Sequence, residues 1–244
     1  RSINPRGAMP ENALMGTIFT VNAQRVDAMK VPSAFSNLRF WRNTSIQALK
    51  PGSSYTTFRG VLGHEWDEDI DNGYRPNGLI HLSYTWIDNV QLIQDHGSVF
   101  DSGSARHTLT LYRATSGAYV FGSGTVQWAW ALDGHHDIND PPRANMYATR
   151  VEMDTSGPDP NIQQSMINLL ADMHAQPTSL STLPHLKLAS PSQDHTPPSA
   201  KILKISFSPG KVPGKFSAEA SRSRGSERSG GPVIMVWVSG EDEG

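Results

Sequence analysis

The sequence predicts a strand-rich α/β fold closed by one helix, and three observations predict it. The first is the stretch from Gly117 to Ile138, GAYVFGSGTVQWAWALDGHHDI. Its apolar run Ala118-Tyr119-Val120-Phe121 breaks at Gly122-Ser123-Gly124, resumes through Trp130 and opens into Asp133-Gly134-His135-His136-Asp137. An apolar run bounded by glycines and followed by titratable groups suits a buried strand that delivers side chains to a cleft. The competing reading is a buried hairpin with a polar turn. The second observation is the recurrence of Ile162, Met166, Leu169, Leu170 and Met173 at helical spacing behind Pro158-Asp159-Pro160. The third is composition: 21 glycines and 17 prolines, with a mean hydropathy of -0.43, suit many turns and short strands.

At 244 residues the chain holds one large domain, or one domain and a small one. A formal charge of -2 and a pI near 6.5 give no bulk attraction to nucleic acid or to an anionic membrane, so neither is expected as a partner. No apolar run approaches the length of a membrane span, and the chain is expected to be soluble. The polar start Arg1-Ser2-Ile3-Asn4-Pro5-Arg6 is not a signal peptide, and no initiator methionine precedes it, so a fragment of a longer protein is expected. The absence of cysteine removes disulfides, thiolate nucleophiles and Cys-held zinc or iron–sulfur sites.

Along the chain, Pro5, Gly7 and Pro10 keep residues 1–13 irregular. Leu14 to Val21, rich in β-branched and aromatic residues, predicts a strand, and Arg39-Phe40-Trp41-Arg42 a short second one before the Pro51-Gly52 turn. Val61 to Trp66 predicts a strand that releases an acidic loop, Asp67-Glu68-Asp69-Ile70-Asp71-Asn72-Gly73. Leu79 to Tyr84 and His107 to Tyr112 alternate as strands do, and Thr110–Tyr112 with Ala118–Phe121 predicts a hairpin. The helix starts with Asp159 as N-cap and Pro160 in its first position, and Ala175-Gln176-Pro177 ends it. A Ser/Pro/Thr/His-rich linker is predicted at 181–199, then strands at Ala200–Ile205 and Val233–Val238 around a polar Arg/Ser stretch.

Three constellations are candidates for chemistry. Asp67, Asp69 and Asp71 at alternate positions before Asn72-Gly73 suit calcium, whose loops place oxygen ligands at positions 1, 3 and 5. The glycine falls one place late and Gly78 stands where a bidentate Glu belongs. The alternatives are a solvated turn, or pairing with Arg42, Arg59 or Arg75. Glu65, next to His64 at the end of a strand, is a candidate general base or ion-pair partner. His135, His136 and Asp137 suit a His–Asp orienting pair or half a metal site, for which Asp133, Glu65 or Asp67 could complete the ligands. The catalytic expectation is that both polar segments, 64–75 and 131–140, meet at one mouth. No H-E-x-x-H, G-x-S-x-G or phosphate-binding glycine loop occurs.

Pro10-Glu11-Asn12-Ala13-Leu14, Leu38-Arg39-Phe40-Trp41-Arg42-Asn43-Thr44, Glu65 to Gly73 and VFGSGTVQWAWALDGHHD together resemble the C-terminal region of proteins like the large subunit of N,N-dimethylformamidase, over residues 5–180. The resemblance implies the later half of a class I glutamine-amidotransferase-like, flavodoxin-like sheet with extra β-hairpins and a closing helix. It implies hydrolysis of the amide bond of small formamides by an iron held by tyrosines and a glutamate. Those ligands are expected upstream of Arg1, so no residue here is assigned to iron. The implied partners are a small-molecule amide and the upstream half of the same chain. Relatives of this kind are large secreted proteins that continue into immunoglobulin-like modules, which implies an extracellular location. The expected domains are 1–180, the linker 181–199, and 200–244 as an incomplete Ig-like module or disordered tail. The function expected is that of loops walling an active-site cleft without catalysing alone. The alternative is a non-catalytic binding or structural module, with calcium at 67–73.

Overall fold

The computed structural model describes residues 9–95, 97–133, 158–180 and 183–193, and the backbone of 199–207 and 234–241. In order these hold α1 (Asn12–Met15), β1 (Ile18–Asp27), β2 (Lys30–Pro32), β3 (Ser54–Thr56), β4 (Leu62–Glu68), β5 (Ile80–His81), β6 (Thr85–Ile93), β7 (Phe100–His107), β8 (Thr110–Arg113) and β9 (Tyr119–Gly122). A helix, α2 (Pro160–Asp172), and a ribbon of β10 (Ser199–Phe207) and β11 (Ile234–Glu241) follow. Four short 3-10 turns lie at Ser33–Phe35, Arg39–Trp41, Ile46–Ala48 and Trp128–Ala131.

Every described strand pair is antiparallel, which overturns the flavodoxin-like α/β expectation. The sheets of the first unit run β4-β1-β6-β7, β5-β8-β9 and β2-β3. Parallel strands need a crossover of a dozen or more residues, usually a helix. Here β6 and β7 are joined by a tight loop whose Asp95 Oδ1 accepts the amides of Gly97, Ser98 and Val99. The Ala114 amide likewise closes the β8–β9 turn onto Ala118 O. The predicted hairpin is present, with Leu111 opposite Phe121 and Tyr112 opposite Val120. Tyr119–Gly122 of the glycine-bounded run is thus an antiparallel hairpin arm, while the polar end of the run past Asp133 lies outside the described residues.

Other local differences have simple causes. Leu14 and Met15 belong to a single helical turn that ends at Gly16 in the left-handed region (φ 81°), so β1 starts only at Ile18. Phe40 and Trp41 are neighbours and both buried, which alternation along a half-buried strand forbids and a 3-10 turn allows. Trp41 Nε1 donates to Leu82 O at 2.8 Å, tying that turn to the core. Trp128 and Ala131 are buried three apart, so the WAWA run is a 3-10 turn despite its strand-like look.

The core joins Val21, Trp66 and Val90 of the large sheet to Phe40, Trp41, Ile46 and Ile162. Asp159 caps α2 as predicted, its Oδ1 accepting the amides of Asn161 (2.9 Å) and Ile162 (3.2 Å), with Pro160 in the first turn. The helix is buried on its polar side too. Asn168 donates to Phe40 O and Arg42 O, and Gln164 exchanges bonds with both Lys187 N and Lys187 O. Gln176 does the same with Ala189. Residues 183–192 of the predicted linker are thus strapped along the helix, and the compact unit closes at Ser192. The second unit contains the β10–β11 ribbon, with Ile202 opposite Val238 and Ile205 opposite Val236.

Candidate functional site

Strand β4 sorts the acidic segment by side. His64 takes a left-handed φ of 56° at a register irregularity between β1 and β4, which sets the orientation of the remaining strand residues. Trp66 turns into the core, its ring edge-on to His107 at 5.9 Å, so Glu65 and Asp67 share the opposite face. A neighbouring segment closes on this edge: the Val126 amide donates to Glu65 O and the Asp67 amide to Gly124 O. Gly124 (φ 60°) allows that approach, since a methyl group there would lie 3.2 Å from His107 Nε2.

Asp67 accepts the Thr17 hydroxyl at 2.9 Å. Burial pushes its carboxyl above the ordinary range; the Thr17 bond pulls it back, and the charges of Glu11 and Glu65 push it further up. His107 is fully buried and its Nε2 donates to Ser123 O at 2.9 Å. Burial lowers it to about 4, the Ser123 bond opposing, so the imidazole is neutral near pH 7.

Asp69 leaves the strand and goes inward. Its side chain is 1% exposed, and Oδ2 meets Arg75 Nη2 at 2.7 Å and His81 Nε2 at 2.6 Å. Arg106 stands 4.0 Å from the same oxygen and donates to Asp69 O. His81 Nε2 also stands 3.1 Å from Arg75 Nη2, so the carboxylate, the imidazole and the guanidinium form one cluster. The ring is part-exposed, and its contact with the carboxylate fixes its orientation. Asn12 fastens the rest of the loop: its Nδ2 donates to Ile70 O and to Asn72 Oδ1, and Asn72 Nδ2 returns a bond to Asn12 Oδ1.

The predicted site residues therefore separate. Glu65 and Asp67 share a face, Asp69 is consumed by Arg75 and His81, and Asp71 is exposed. Among the described residues no three His, Cys, Asp or Glu side chains are grouped so as to hold a metal ion. Of the arginines named as alternatives, Arg75 pairs with Asp69, whereas Arg42 pairs with Asp172 and Arg59 donates to Val26 O. His135, His136 and Asp137 lie outside the described residues, and so does the meeting of the two loops. Sequence reasoning does not single out His81, Arg106 or His107; they sit on ordinary alternating strands with no motif around them. No helix among the described residues is long and apolar enough to cross a membrane.

An antiparallel β unit whose acidic loop is pinned by a buried carboxylate, held by an imidazole and a guanidinium, defines a β-rich domain. Residues 1–142 match the family described as N,N-dimethylformamidase beta subunit-like, C-terminal, and the chain belongs to that family. No curated protein and no solved structure gives a significant match.

Proposed function

We propose that the chain is the C-terminal portion of an amidohydrolase of the N,N-dimethylformamidase kind, and that its acidic loop forms one wall of the active-site cleft without performing the reaction alone. One observation carries this: Asp69, buried under the loop, is held at once by Arg75 (2.7 Å) and His81 (2.6 Å). Burying a carboxylate costs several kcal/mol that apolar packing would not, so its return is a fixed loop shape rather than net stability. The wall carries Glu65, the protonation-prone Asp67 and the part-exposed His81. These groups orient a small polar amide and exchange protons with water beside it.

The test is formamide hydrolysis by the full-length parent carrying Glu65→Gln, His81→Ala or His135→Ala. Rates unchanged in all three would remove these loops from the mechanism. A drop in kcat/KM with the melting temperature lowered by no more than a few degrees supports it.

A further inference from the structure

On β6 and β7 one aromatic side chain is presented to solvent in a fixed pose. Trp86 is 48% exposed, and its Nε1 donates to Asp88 Oδ1 at 3.0 Å, two residues further along the strand. Residues two apart on a strand are about 7 Å apart, so this bond draws the indole along β6 while about half of the residue stays exposed. Ser104 Oγ donates to the same Asp88 oxygen at 2.6 Å from the neighbouring strand, locking the carboxylate in turn. Both bonds, the one from Ser104 first, hold Asp88 below the usual carboxylate range, so it is an anion at neutral pH. Its Oδ2 has no hydrogen-bond partner among the described residues and is an open acceptor. Arg106 stands directly opposite Trp86 in the ladder with its side chain 36% exposed, and exposed Tyr84 extends the strip by one outward position. One Arg106 nitrogen donates to Asp69 O, which anchors the guanidinium and leaves other N–H groups of the fork to donate outward.

We propose that this strip binds a neutral saccharide, one sugar ring stacking its C–H face on Trp86 while its hydroxyls donate to Asp88 Oδ2 and accept from Arg106. The charges argue for that class. A phosphate-bearing ring would meet the Asp88 anion, and a quaternary ammonium would meet the Arg106 cation. A donor and an acceptor flanking an apolar platform suit a ligand with hydroxyls at its rim and no net charge. The proposal does not depend on the formamidase reading, because its platform and acceptor, Trp86 and Asp88, are held by each other and by Ser104 rather than by the acidic loop.

The full 244-residue chain is run through native gels containing hydroxyethyl cellulose, xylan or soluble starch, beside Trp86→Ala, Trp86→Phe and Asp88→Asn. Retardation is expected in at least one polysaccharide. Losing the platform is expected to weaken it about tenfold or more in Trp86→Ala, a figure set by the apolar area of one indole face. Trp86→Phe is expected to keep part of it, and Asp88→Asn to fall between. Far-UV circular dichroism of the three variants is expected to match the wild type, since Trp86 is outside the core. No retardation by any of the three polymers, or equal retardation of wild type and Trp86→Ala, overturns the proposal.

Discussion

Tyr55 donates its hydroxyl hydrogen to Asp159 Oδ2 across 2.6 Å, linking positions 104 residues apart in the chain. The other oxygen of the same carboxylate caps α2. One side chain thus starts the helix and fastens it to β3. The phenol is pushed well above its usual range, by burial first and then by the Asp159 bond. Asp159→Ala removes cap and anchor together and is expected to cost about 2–3 kcal/mol, against about 1 kcal/mol for Tyr55→Phe. Urea denaturation of the two variants measures the difference.

His107 makes stability depend on pH. Its folded-state value of about 4 lies below the ordinary 6.5, so the unfolded chain binds the extra proton first. Its contribution is complete above pH 6.5, declines as pH falls and is lost below about 4. The total is roughly 3 kcal/mol by the shift alone. His107→Gln should flatten that part of the curve, as seen in denaturation midpoints taken through this window.

Asp67 works in the opposite sense. Its raised value means that its contribution is present below 3.8 and is lost as pH rises through the folded-state value. Thr17→Val removes the one bond that favours the anion and should push the Asp67 titration further up. Carbon-detected NMR titration of the carboxyl groups reads this directly.

Two glycines separate crowding from backbone strain. A methyl group at Gly122 would fall 2.6 Å from Met15 O, a backbone atom, so Gly122→Ala is expected to cost several times as much as Gly52→Ala. At Gly52 the methyl meets nothing and only the left-handed φ of 82° opposes it, a cost of about 1 kcal/mol. Thermal midpoints of the two variants give the ordering.

Local signals in the sequence are good guides where one residue type fixes one geometry. Asp159-Pro160 marks the start of α2, and the Thr110–Tyr112/Ala118–Phe121 alternation marks the hairpin, because capping and pleat act over a few residues. The flavodoxin-like expectation fails because a hairpin arm and a parallel strand can both be short apolar runs between glycines, and only the partner strand tells them apart. WAWA and RFWR mislead for a related reason: aromatic density suggests strands, whereas burial at Trp128 and Ala131 follows a three-residue turn.

The candidate site is legible in part. Its location on the loop after β4 follows from carboxylates released beyond an apolar run. Arg75 is among the partners the sequence offers for these carboxylates and Asp69 takes it, but the turn of Asp69 onto His81 is not legible, since their 12-residue separation obeys no spacing rule. Calcium-like alternation puts three carboxylates together in sequence, yet strand pleat and loop reversal send them to three different surroundings.

The central claim is that the loop pinned by Asp69 forms part of an amide-hydrolysing cleft. Its most direct test is kcat/KM for formamide hydrolysis by the full-length parent, wild type against His81→Ala, with the melting temperature followed in parallel. A fall of about tenfold or more is predicted, the scale of one proton-handling group, with the melting temperature lowered by only a few degrees. A variant as active as the wild type would contradict the claim.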